Sequence, residues 1–401
     1  MKRNCLMRIF CSVIVAIILI QVGCTNRLAV ESTSSGEAAR EKQFHILNGT
    51  NQSISKNQDT EKTAFYRNFS MVNETAGWIL RNNKLLRTVN GGLDWDDVSP
   101  YSDMEANNND QSSVSTYFYD SNFAWVALGT YLQDNSTKLI IFYTTDGGTH
   151  WNKTFVPITE QWESGSEGYI SFSDCINGFL LLTSSPSLGQ MNKSMYKTND
   201  GGKSWSRIGN ITDEIESYPT GMAFKNIKEG WITSSYHGQN YILTFKTDDG
   251  GRNWHKENLQ ITSMYNDYYT DSYAPVFFSN EKKNGILPLK YVKEESRFII
   301  PYITKDGGES WSATKVLGNY TFSIYDFLSE KQWWAIDYKD NKLYETNNSG
   351  VSFEAVSENK IFKDIKTLEF VTNQIGWAIG QDFFIKTIDG GKSWSKVNFI
   401  K

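Results

Sequence analysis

Seven copies of one octapeptide, Thr-x-(Asp/Asn)-Gly-Gly-x-(small polar)-Trp, recur along the chain and leave few folds open to it. They begin at Thr88, Thr144, Thr198, Thr247, Thr304, Thr346 and Thr387, with 41 to 57 residues between successive starts. The third position is Asn90, Asp146, Asp200, Asp249, Asp306, Asn348 or Asp389, and the last is Trp95, Trp151, Trp205, Trp254, Trp311, Phe353 or Trp394. An Asp or Asn can bond its own backbone two residues on and start a tight turn. Paired glycines admit the positive φ that such a turn needs. The aromatic then opens the returning strand, so each copy is a hairpin.

The flanking residues are strand-like. The last unit divides into four short strands, at 367–372, 375–380, 382–388 and 393–399, separated by turn signals. The second strand of each unit carries a bulky residue after a small or equivalent one: Gly77-Trp78, Ala124-Trp125, Gly178-Phe179, Gly230-Trp231, Gly285-Ile286, Trp333-Trp334, Gly376-Trp377. Aromatics make up 14% of the 401 residues and there are only 7 prolines, a bias that favours strands. Seven four-stranded units over 66–401 give an all-β, seven-bladed β-propeller. Each blade is expected to come from one continuous segment, with no strand exchange at closure, although 43–47 could add an edge strand. Blade six, where Ser349 and Phe353 replace Gly and Trp, is expected to be the irregular one.

The octapeptide resembles the Asp-box, or bacterial neuraminidase repeat. That motif occurs in sialidases, sortilin-type receptors, xyloglucan-cleaving glycosidases and the photosystem II assembly-factor family. Pairing of Gly376-Trp377-Ala378-Ile379-Gly380 with the box at Thr387 is most similar to the last group. The resemblance covers 66–401 and implies that the boxes are structural turns remote from a binding site. It carries fold rather than function. Sialidases need an arginine triad, and their Arg-Ile-Pro signature is absent: Arg67 is followed by Asn68-Phe69. A photosynthetic role is not carried over, because nothing in the sequence indicates a photosynthetic cell.

The N-terminus reads as an export signal, residues 1–23. Lys2, Arg3 and Arg8 precede an apolar run at 9–20, shorter than the ~20 residues that span a bilayer. Gln21-Val22-Gly23-Cys24 resembles a bacterial lipobox, with Cys24 as the lipidated residue and Gln21 in place of the usual Leu. Residues 24–65 then form a polar, lipid-anchored tether. The expected location is outside the cell membrane, held to its outer face, or periplasmic or outer-membrane in a Gram-negative cell. Cys5 and Cys11 leave with the signal and Cys24 takes the lipid. Cys175 is then a lone buried thiol.

Net charge is −5, without the basic excess of a nucleic-acid binder. Four His and 4 Cys leave no zinc set, and no cofactor or metal is expected. The acids concentrate instead in four blade-to-blade connections, on the face opposite the boxes. Segments 99–113, 157–167, 208–219 and 259–273 hold 11 acids and no Lys or Arg, interleaved with Tyr101, Trp162, Tyr218, Tyr265, Tyr268, Tyr269 and Tyr273. These segments read either as solvated loops or as a ligand platform centred on Glu160, Trp162, Glu163, Tyr265, Asp267, Tyr268 and Asp271. The expected function is non-enzymatic binding or assembly of a protein or glycan at the cell envelope, by a monomer. The alternative is a glycoside hydrolase using loop-face carboxylates.

Overall fold

The computed structural model describes residues 66–81, 84–101, 113–131, 137–158, 167–186, 191–236, 238–294, 296–314, 321–380 and 382–397. The expected leader, Cys24, the tether and the strand at 43–47 lie outside them. Seven antiparallel sheets of consecutive strands span 66–97, 113–156, 167–210, 218–256, 269–313, 322–358 and 365–396. These are the seven blades, and among the described residues no strand is exchanged between first and last. Each blade is a meander, so the first and third turns share one face. Second-to-third turns and blade-to-blade connections share the other.

Second strands are largely buried, because neighbouring blades cover both faces. Gly178–Thr183 and Gly376–Gly380 are buried at every residue. In most blades the last residue of the first strand pairs with a small residue opening the second. Phe172 faces Gly178, Phe224 faces Gly230 and Phe370 faces Gly376. A Cβ on Gly178 would lie 2.5 Å from the Phe172 ring. That ring is thereby free to stack on the bulky residue of the preceding blade. Phe172 lies 3.7 Å from Trp125, Phe224 3.4 Å from Phe179, and Phe370 3.8 Å from Trp334, all near parallel. Each such pair adds roughly 0.5–1.5 kcal/mol beyond its buried area.

The boxes are closed turns. In the fifth, Thr304 Oγ1 donates to Asp306 Oδ1 at 2.7 Å and accepts the Gly308 N–H at 2.8 Å. Asp306 Oδ1 also accepts the Ser310 N–H at 3.0 Å. Asn90 and Asn348 accept the equivalent N–H groups, from Asp94 and Ser352, at 2.9 Å. Indoles of Trp95, Trp254 and Trp394 fold back to donate to Gly92, Gly251 and Gly391 carbonyls.

Blade six keeps four consecutive strands, with register shifts in two of its ladders, and its decayed box keeps the turn of the others. Ser349 adopts the left-handed φ of the glycine it replaces, 61°. Trp333 occupies the usual glycine site, edge-on to Phe327 and 6.5 Å from Phe353, filling space left by the smaller ring. The blade that departs furthest from the expected four strands is the fifth, not the sixth. Its first strand breaks into Tyr269–Ser272 and Val276–Phe278, both paired with Asn284–Lys293. Pro275 lies in the gap, where it cannot donate to the ladder.

Cys175 is buried and disulfide-bonded, which corrects the expectation of a lone thiol.

Candidate functional site

Four of the residues chosen from sequence on the loop face are described: Tyr265, Asp267, Tyr268 and Asp271. Glu160, Trp162 and Glu163 lie outside the described residues, as do Asp103, Glu105 and Asp110. A short 3-10 turn, Ser263–Tyr265, folds the connection from blade four back onto blade five. It sets Tyr265 5.1 Å from Phe298 and 5.4 Å from Tyr291, with Tyr268 edge-on to Tyr265 at 5.3 Å. Both tyrosines are half-buried and roof an apolar cluster of Leu287, Leu289, Tyr291, Phe298 and Tyr302. Burial raises the Tyr265 phenol above its ordinary range. Tyr101, counted from sequence among the loop aromatics, is buried against Phe142.

The acids of this connection are compensated. Asp267 pairs with Lys293, whose hydrogen bond holds the carboxyl below its usual range, and Asp271 lies 3.6 Å from Lys290. Both lysines come from the long second strand of blade five, outside the segments whose charge was counted in sequence. Glu214 is also engaged, accepting the Trp254 N–H at 2.6 Å. Asp213 and Glu216 are exposed and make no ion pair among the described residues.

Sequence reasoning gave no weight to the turn between second and third strands of blade four, which stands beside this connection. Tyr236 N–H donates to Gln239 Oε1 at 2.8 Å. Thr270 N–H donates to Gln239 O at 3.1 Å, and Thr270 Oγ1 to Tyr241 O at 2.8 Å. Asn240 reaches Asn266 O at 3.2 Å. The turn is thus tied to blade five at several points, and it exposes Tyr236 and Tyr241 beside Tyr269.

On the opposite face, a cation before the box Thr covers the second-strand aromatic of its own blade. Arg87 lies over Trp78, Lys197 over Phe179, Lys246 over Trp231 and Lys386 over Trp377, at 5.0 to 5.7 Å. Carboxylates of Glu229, Asp248 and Glu309 converge there within 4.8 Å of one another. Lys246 Nζ lies 2.6 Å from Glu309 and 3.3 Å from Asp248, and Lys225 Nζ 2.8 Å from Glu229. Ammonium groups stand where a metal would. Burial opposes the charge of Lys246, but Glu309 and Asp248 outweigh it and raise its pKa.

No protein-family model matches the chain. Over 156 residues it is 24% identical to the photosystem II assembly lipoprotein Ycf48 of Synechococcus sp. (strain CC9902). That match covers 39% of each protein, so the chain spans well under half the relative's length. Among solved structures, the propeller is similar to YCF48 bound to D1 peptide, with a TM-score of 0.50 and 16% identity, covering 82% of this chain and 94% of that one. It is also similar to prolyl oligopeptidase B from Galerina marginata, with a TM-score of 0.52 and 11% identity, covering 84% and 51%. The expected resemblance to the photosystem II assembly-factor group is met. The structural likenesses show the fold, and an oligopeptidase among them shows that fold alone does not separate binder from enzyme.

Proposed function

We propose that this chain is a lipid-anchored module of the cell envelope that holds a protein partner during assembly and performs no chemistry on it. The sequence match to an assembly lipoprotein carries this reading. A related propeller with a bound peptide supports a polypeptide as partner. The loop face of blades four and five agrees, since it offers exposed aromatics on a cross-tied scaffold, while Asp267 and Asp271 are bound to lysines. The export signal and the Gly23-Cys24 pair supply the anchor in this reading. No observation favours the hydrolase.

Photo-crosslinking in cells, from probes spread over both faces, tests the reading. One partner protein captured reproducibly from loop-face positions is the expected outcome. Absence of any protein adduct, or turnover of a glycan by the purified chain, would overturn it. Cys24→Ser should move the protein from the membrane to the soluble fraction, because stable attachment depends on its acyl chains.

A further inference from the structure

Exposed aromatic rings gather at one place on the loop face. Tyr236 and Tyr269 are 40% and 54% exposed. Tyr218 stacks on Tyr236, with centroids 5.8 Å and planes 12° apart. The Tyr269 ring lies against Gly238, where φ is 68° and a Cβ would sit 3.3 Å from the ring. Thr270 of blade five donates its N–H to Gln239 O and its hydroxyl to Tyr241 O, which locks this turn to blade five, so the rings are oriented before any partner arrives.

Two neighbouring tyrosines show what such faces accept. Lys256 Nζ stands 4.4 Å from the Tyr241 ring centroid, and Lys293 Nζ 5.6 Å from that of Tyr268. Tyr269 carries no cation among the described residues. Glu216, two residues before Tyr218, and Asp213 are exposed acids with no ion pair among the described residues. A surface of this composition repels anionic lipid and nucleic acid and attracts cations. Ring faces and carboxylates together match Arg or Lys side chains, which stack and pair at once.

Resting on the protein-binding reading above, we propose that the Tyr218, Tyr236 and Tyr269 surface seats an extended, Arg- or Lys-bearing segment of the partner, with Glu216 and Asp213 pairing its cations. Labelled Gly-Ser peptides carrying spaced Arg, spaced Glu or neither, titrated into the full chain, test this. The Arg peptide should bind and should weaken as salt rises. Tyr236→Ala with Tyr269→Ala should lower its affinity about tenfold, while Tyr236→Phe with Tyr269→Phe, which keeps the rings, should retain it. Glu216→Gln with Asp213→Asn should flatten the salt dependence.

Thermal midpoints report whether each variant is folded. Equal binding of the uncharged peptide, or unchanged affinity in the double alanine variant, would sink the proposal. So would Tyr-dependent binding of maltohexaose without binding of the Arg peptide. A partner crosslinked only from the box face would leave the protein-binding reading standing and remove this inference. No protein adduct at all would remove the reading itself.

Discussion

The Glu369 carboxylate accepts the Met71 N–H at 2.9 Å, joining residues 298 apart in sequence at the seam where the ring closes. Asp326 does the same for the Phe370 N–H at 2.6 Å, one seam earlier. The Ser171 hydroxyl serves the Phe224 N–H at 3.1 Å between blades three and four. All three occupy the next-to-last position of a first strand. Among the described residues, where no strand is exchanged, closure depends on such side-chain bonds and on packing. Phe69 and Trp95 of blade one meet Phe384 of blade seven at 5.6 and 6.0 Å, and Trp377 donates to Gly91 O at 3.0 Å.

Glu369→Ala should therefore destabilise the propeller by about 2–3 kcal/mol, because it leaves a buried N–H without an acceptor. Glu369→Gln, which keeps an acceptor oxygen, should cost about 1 kcal/mol. Urea denaturation of both variants measures the difference. Equal stabilities would mean that the carboxylate does not fasten the seam.

Box acids should be replaceable by asparagine but not by alanine. Slight burial opposes ionisation of Asp306, but bonds from Ser310, Thr304 and backbone N–H groups outweigh it and hold its pKa at about 2. The first and sixth boxes use Asn90 and Asn348 in the same hydrogen-bonding role. Asp306→Asn should be close to neutral at pH 7, and Asp306→Ala should cost about 1 kcal/mol. With its folded pKa depressed, Asp306 contributes stability above its ordinary pKa and loses it as pH falls toward about 2. The Asn variant should lack that acid-side loss in a pH series of denaturation curves.

The box spacing alone made blade number and strand order legible, because a turn repeated every fifty or so residues admits only one meander. A second signal was present and unread. Met71, Phe118, Phe172, Phe224, Phe327 and Phe370 each stand six residues before the residue that opens the second strand, and each pairs with it. That spacing encodes the seam between blades. The same strands held Asp326 and Glu369, isolated acids in apolar runs, which is the mark of a buried polar group with a designated partner. The loop face was only half legible. Asp267 and Asp271 sat in a segment without bases, and nothing local says that Lys290 and Lys293 fold over it. Nor does sequence distinguish Tyr265, which roofs a core, from Tyr269, which faces solvent.

Ser349 holds a left-handed φ of 61° where the other boxes, apart from this sixth copy, have glycine. Left-handed backbone costs a side-chain-bearing residue roughly 1–2 kcal/mol, partly offset by the greater unfolded-state freedom of glycine. Ser349→Gly should raise stability by about 0.5–1 kcal/mol. A lower thermal midpoint in this variant would show that the serine makes a compensating contact.

Glu257 should make stability fall as pH rises toward neutrality. It follows the fourth strand of blade four, where its N–H donates to Thr244 O at 2.8 Å. Its Oε2 is buried without a hydrogen bond among the described residues. Burial is the main cause that lifts its pKa from 4.5 to about 7; Glu309 and Asp248 add to the lift, and the Trp231 indole and Lys246 oppose it too weakly. Between those two values the folded chain holds a proton that the unfolded chain has released. Unfolding free energy therefore declines with pH across that window and levels off above it. A shift of this size corresponds to about 3 kcal/mol between the two ends. Glu257→Gln carries no titrating proton there and should remove the slope. Urea denaturation from about pH 5 to about pH 8 compares the two proteins. Parallel curves for wild type and variant would show that the carboxyl is better solvated than its surroundings indicate, and a steeper fall in the variant would contradict the assignment outright.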